Sequence, residues 1–182
     1  MGYESPMPVQ EEVIPFLLGE DNDVIALAQT GTGKTAAYGL PILQKINVSQ
    51  YQPQALILCP TRELCLQIAD DLNDYSKYID NLKVLPVYGG SSIESQIKTL
   101  KNRKTVDLSN VKNVILDEAD EMLNMGFTDS INEILAAIPE NRNMLLFSAT
   151  MPKEIASITK KYMKDPKEIV IGRKNEGNKN IR

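Results

Sequence analysis

Asp23-Val-Ile-Ala-Leu-Ala28, running directly into Gln29-Thr-Gly-Thr-Gly-Lys-Thr35 and then Ala36-Ala-Tyr-Gly-Leu40, decides how this 182-residue chain folds. The first six residues form a short run without polar alternation, the pattern of a strand buried on both faces of a parallel sheet. Glycines at 31 and 33 let the backbone curl so that successive N–H groups face a phosphate, and a helix opening near Lys34 adds the positive end of its dipole. Strand, glycine loop and helix in this order are the context in which such a loop binds phosphate. In that reading Lys34 neutralises the β and γ phosphates and the Thr35 hydroxyl ligates Mg²⁺. The strict pattern has Gly at position 28, where this chain has Ala.

Similar apolar runs at residues 55–59, 83–88, 113–117, 143–148 and 168–171 predict further strands. Between them, Leu64, Ile68, Leu72, Tyr75 and Ile79 recur at helical spacing, as do Ile93, Ile97 and Leu100, then Ile131, Ile134, Leu135 and Ile138, then Ile155, Ile158 and Tyr162. Strand and helix alternating in this way predict a doubly wound α/β domain with a mainly parallel sheet flanked by helices. No linker or repeat divides the chain. Residues 1–172 read as one domain, and 173–182, without apolar periodicity, as a tail or the start of a linker.

Composition narrows the chemistry. The chain has no histidine, which removes Ser-His-Asp and Cys-His nucleophile systems and every His-ligated zinc site. Acid-base work must fall to carboxylates, Lys or Tyr. A net charge of −4 argues against an overall field that attracts nucleic acid, although local patches remain. Cys59 and Cys65 sit in apolar segments without metal-ligand spacing and read as reduced, buried thiols of a cytoplasmic protein. No run approaches the roughly 18 apolar residues of a membrane span.

Asn113-Val-Ile-Leu-Asp-Glu-Ala-Asp120 places acids at the end of a buried strand, where α/β folds bind ligands. Asp117 is the metal-side carboxylate, sharing Mg²⁺ with Thr35, and Glu118 is placed to orient or deprotonate the water that attacks a γ-phosphate.

Asp117-Glu-Ala-Asp120 is the signature of the DEAD-box RNA helicases, and the chain resembles the first RecA-like domain of that family from Gly2 to about Ile171. Pro6-Met-Pro-Val-Gln10 is similar to the glutamine motif, which implies that Gln10 reads the adenine edge of ATP. Ala28-Gln-Thr-Gly-Thr-Gly-Lys-Thr35 resembles the family's phosphate loop, in which Ala at the first position is usual. The resemblance thus assigns Ala28, Gln29, Thr30, Gly31, Thr32, Gly33, Lys34 and Thr35 to ATP, with Lys34, Asp117 and Glu118 as catalytic residues. Pro60-Thr-Arg62 and Gly89-Gly90 look like RNA-backbone contacts. Ser148-Ala-Thr150 resembles the motif that ties Asp120 to the coupling of hydrolysis with strand separation. Read without the resemblance, Ser148 and Thr150 cap the following helix and Arg62 forms a salt bridge at a helix start. The basic run Lys98, Lys101, Arg103 and Lys104 fits a solvated face or an RNA contact.

The sequence also departs from the family pattern. The second RecA-like domain, which supplies arginine fingers and half of the RNA surface, is expected to be missing. The aromatic residue that stacks on adenine lies upstream of the glutamine motif in the family; only nine residues precede Gln10 here, with Tyr3 the candidate, and Met7 stands where the family usually has Thr. The interval from Gly90 to Asp117 is short and lacks a Thr-Pro-Gly-Arg motif, which predicts a deletion or an omitted loop. A deletion there would leave strand 83–88 without a neighbour and favour self-association through an exposed edge. The expected function is the ATP-binding domain of an RNA helicase, weakly active alone. The alternative is a non-catalytic nucleotide-binding or protein-interaction module.

Overall fold

A computed structural model describes residues 5–19, 22–89 and 107–172 of the chain. In chain order the elements are α1 (Pro8–Gly19), β1 (Val24–Leu27), α2 (Lys34–Lys45), β2 (Ala55–Leu58), α3 (Arg62–Tyr75), β3 (Asn113–Leu116), α4 (Ala119–Asn124), α5 (Thr128–Ala137), β4 (Asn143–Ser148), α6 (Lys153–Tyr162) and β5 (Lys167–Val170). The five strands form one sheet in the order β2-β3-β4-β1-β5, with every pairing parallel.

Because side chains alternate along a strand, each buried strand feeds two cores. Ile25, Val114, Leu116, Met144 and Leu146 point to one face, where they meet Met122, Leu135, Ile155 and Ile158 from α4, α5 and α6. Val24, Ala26, Ile115, Leu145 and Phe147 point to the other, against Val9, Val13 and Leu17 of α1 and Ala37, Tyr38 and Ile42 of α2. Helices on both faces are what the unbroken apolar runs predict, and the doubly wound architecture is present.

At the rim where the strands begin, Asp23 is buried and its carboxylate accepts the backbone N–H groups of Met144 and Lys164, both at 2.6 Å. Burial raises its affinity for a proton, and the two N–H groups partly offset this. No helix among the described residues is long and apolar enough to cross a membrane.

Two expectations need correction, and one helix has no counterpart in the reading of the sequence. Residues 83–88 form no strand; among the described residues β2 pairs only with β3. Leu82 and Val84 instead pack beside α3 with Leu43, Ile68 and Leu72, while Leu85 and Val87 face solvent. The run's apolar character is met by packing on a helix rather than by a ladder. Cys59 and Cys65 are free but only partly buried. Finally, α1 escapes the helical reading of the sequence because Pro15 interrupts it, yet the helix continues through that proline. The pattern at Ile93, Ile97 and Leu100 and the basic run from Lys98 to Lys104 lie outside the described residues.

Candidate active site

The loops after β1, β3 and β4 leave the same rim of the sheet. The chain goes from β1 to a helix on one face and from its neighbour β4 to a helix on the other, so a crevice opens between them, the place where parallel sheets hold ligands. Gly31 (φ 76°) and Gly33 (φ 80°) adopt left-handed backbone, which lets residues 29–33 turn sharply into α2. Thr32 closes the loop by donating its hydroxyl to the Gln29 carbonyl at 2.7 Å. Ala28 lies beneath, its N–H on the Ser148 carbonyl at 2.9 Å, and Thr30 is exposed at the loop tip.

Lys34 opens α2 and is buried, with its Nζ 3.6 Å from Asp117 Oδ1 and 3.7 Å from Glu118 Oε1. Asp117, at 2% exposure, follows β3. Burial raises its carboxyl above the ordinary carboxylate range, and Lys34 and the Tyr38 hydroxyl only partly offset this. Tyr38 donates to Asp117 Oδ2 at 3.0 Å, and Oδ1 has no hydrogen-bond partner. Glu118 takes a left-handed conformation (φ 53°) at the start of α4, a strain that non-glycine residues sustain mainly at functional sites.

Gln10 is also buried and touches the phosphate loop. Its Oε1 accepts the Met7 N–H at 2.9 Å and its Nε2 donates to the Gly33 carbonyl at 3.2 Å. Asp120, in the first turn of α4, meets the loop after β4. Its own N–H donates to Ser148 Oγ at 3.3 Å, while the N–H and hydroxyl of Thr150 donate to its Oδ2 at 3.0 and 2.9 Å. Burial pushes the Asp120 carboxyl up, yet these hydrogen bonds prevail and hold it below its ordinary value. Ser148 and Thr150 therefore bind Asp120 rather than cap α6, whose start at Pro152 has no side-chain cap.

The expected RNA residues lie along the neighbouring loop. Pro60 is buried, and Thr61 caps α3 by accepting the Leu64 N–H at 3.2 Å. Arg62 stacks its guanidinium 4.6 Å from the centre of the Tyr88 ring, and Gly89 is exposed. The same loop carries Cys59, whose thiol is pushed up to about 12 by burial, with Cys65 and Asp117 adding to the rise. Tyr3 and Gly90 lie outside the described residues. Sequence reading passed over Tyr38; its spacing of three from Thr35 and four from Lys34, which puts all three on one face of α2, was the available signal.

The sequence model of one family, described as DEAD/DEAH box helicase, matches residues 7–158. The chain belongs to this family. It is similar to the ATP-dependent RNA helicase DeaD of Escherichia coli K12, with 44% identity over 94% of this chain and 30% of that protein. Identity to the protein of the same name in Buchnera aphidicola (subsp. Acyrthosiphon pisum, strain APS) is 46%, over 94% of this chain and 31% of that one. The chain thus spans about a third of the length of these relatives. A solved DEAD box protein from the hyperthermophile Methanococcus jannaschii superposes with a TM-score of 0.86 at 43% identity, over 94% of this chain and 51% of that one. Against DeaD of Mycobacterium tuberculosis H37Rv the match extends over 198 positions for 182 residues here, so at least 16 positions find no counterpart in this chain.

Proposed function

We propose that this chain is the ATP-binding and hydrolysing domain of an ATP-dependent RNA helicase. The observation that carries the reading is the meeting of Lys34 with Asp117 and Glu118 at the mouth of the phosphate loop. It is supported by the relatives that bear the name ATP-dependent RNA helicase. The loop N–H groups and Lys34 bind the phosphates of ATP. Gln10 spends one acceptor site on Met7 and one donor on Gly33, which leaves a lone pair and an N–H. That pair suits adenine, whose N6 donates and N7 accepts, and not guanine, where O6 and N7 both accept.

The donor set fits Mg²⁺. One carboxylate and one hydroxyl, Asp117 and Thr35, are what this ion takes from a protein that also offers it phosphate oxygens, and Oδ1 of Asp117 is buried with no hydrogen-bond partner and only the Lys34 ammonium, 3.6 Å away, as counter-charge. When bound, the ion offsets phosphate charge during transfer. Glu118 accepts the proton of the attacking water and holds that water toward the γ-phosphorus. Among the described arginines, Arg62 is stacked on Tyr88 and Arg142 bonds to the Ile138 and Pro139 carbonyls, so neither is committed to the phosphates. The cation that stabilises transferring charge, a contribution of about 10³ to 10⁵ in rate, is assigned to a second RecA-like domain. Thr61, Arg62, Gly89 and Gly90 hold the RNA backbone, and Asp120, Ser148 and Thr150 couple the two events in the cytoplasm, where ATP and RNA meet.

Titration calorimetry with ATP and GTP, with and without Mg²⁺, tests the reading. Binding of ATP that strengthens with Mg²⁺ and disappears in Lys34→Ala is expected; equal affinity for ATP and GTP removes the assignment of Gln10.

A further inference from the structure

Tyr38 is the buried group that the reaction as described leaves unused. Its ring is fully enclosed, tilted against Phe147 with centroids 5.2 Å apart, so the hydroxyl has one accessible direction, toward the site. There it donates to Asp117 Oδ2 at 3.0 Å.

Tyr38 gives its proton to Oδ2 of Asp117, which leaves Oδ1 turned toward Lys34 Nζ at 3.6 Å and without a hydrogen-bond partner. We infer that Tyr38 is a positioning residue that orients the Mg²⁺ donor Asp117 through its hydrogen bond to Oδ2. Partners of this kind behind a metal ligand typically change metal affinity 10- to 100-fold. The inference rests on the Mg²⁺ assignment made above.

Tyr38→Phe keeps the ring and its packing and removes only this hydrogen bond. Mn²⁺ binding in the presence of ADP, followed by electron paramagnetic resonance, is expected to weaken about tenfold in this variant, with metal-free ADP affinity unchanged. In an Asp117→Asn background the same change is expected to add little, because the hydroxyl then has no carboxylate to orient. Unaltered Mn²⁺ affinity in Tyr38→Phe overturns the inference, and so does an equal loss of metal-free ADP binding, which would mean that the hydroxyl merely shapes the loop. Failure of the underlying assignment looks different: Mn²⁺ would then bind Asp117→Asn as tightly as the unaltered chain.

Discussion

Thr150 holds Asp120 twice, through its backbone N–H at 3.0 Å and its hydroxyl at 2.9 Å, both on the same carboxylate oxygen. The two residues lie thirty positions apart and belong to different loops, so this contact ties the acidic loop after β3 to the loop after β4. Thr150→Val removes the hydroxyl at constant shape and should cost about 1 kcal/mol of stability. The sign of its pH dependence follows from the depressed Asp120 carboxyl. Such a group stabilises the fold above its unfolded value of 3.8 and loses that contribution as pH falls through its folded value. Urea unfolding should therefore show the largest gap between variant and parent at neutral pH and a closing gap in acid.

Asp117 has the opposite sign. Its carboxyl is raised, so its ionisation opposes folding, and stability falls as pH rises from 3.8 through its folded value. Lys34→Ala removes the cation that partly offsets this. The variant should lose ATP binding at least 100-fold by calorimetry, and its deficit in urea unfolding should be greater at pH 7 than at pH 4.

Glu118 is held in a left-handed backbone that costs roughly 1–2 kcal/mol for a residue with a Cβ. Glu118→Gly relieves this while adding chain entropy to the unfolded state, about 0.5–1 kcal/mol. A slightly higher melting temperature with no ATP hydrolysis is the expected result, whereas Glu118→Gln should bind ATP normally and fail to hydrolyse it. A lower melting temperature in the glycine variant would count against strain at this position.

The two loop glycines are not equivalent. A Cβ on Gly31 meets nothing within 4 Å, but one on Gly33 would stand 2.5 Å from Gln10 Nε2. Both alanine variants pay for left-handed backbone, about 1 kcal/mol, and Gly33→Ala must in addition displace Gln10 from its two hydrogen bonds. Thermal unfolding should show Gly33→Ala as the worse of the two, and the difference should shrink in a Gln10→Ala background.

Leu85 and Val87 stand 47% and 57% exposed in the segment that follows α3, where Lys83 is exposed as well. Exposed apolar side chains close together in a segment without strand partners invite contact with another chain. Sedimentation should show concentration-dependent association that Leu85→Lys with Val87→Lys reduces; a monomer at all concentrations would contradict it.

Much of this molecule was legible because its signals are local. Strands β1, β3 and β4 are continuous apolar runs, and the glycine loop declares its own geometry. The pairing of Asp120 with Thr150 came from the family resemblance; the residues alone suggested a helix cap. What stayed hidden depends on neighbours. Residues 83–88 have a strand's composition but pack on α3, and a helix and an edge strand can satisfy the same apolar face. Helix α1 hides behind Pro15. Tyr38 belongs to no motif that the sequence displays, and only the approach of β3 shows that its hydroxyl has a task.

Asp23 lies at the far rim of the sheet from the phosphate loop, where one carboxylate receives the first part of β4 and the turn into β5. Amide hydrogen exchange at Met144 and Lys164 is accordingly governed by a single titrating group, and it should quicken together at both sites as that group takes a proton. On the proposed function the upper rim of this sheet answers to a nucleotide, whereas a proton on Asp23 would act at the lower rim, so the two rims of one sheet are expected to respond to different small solutes.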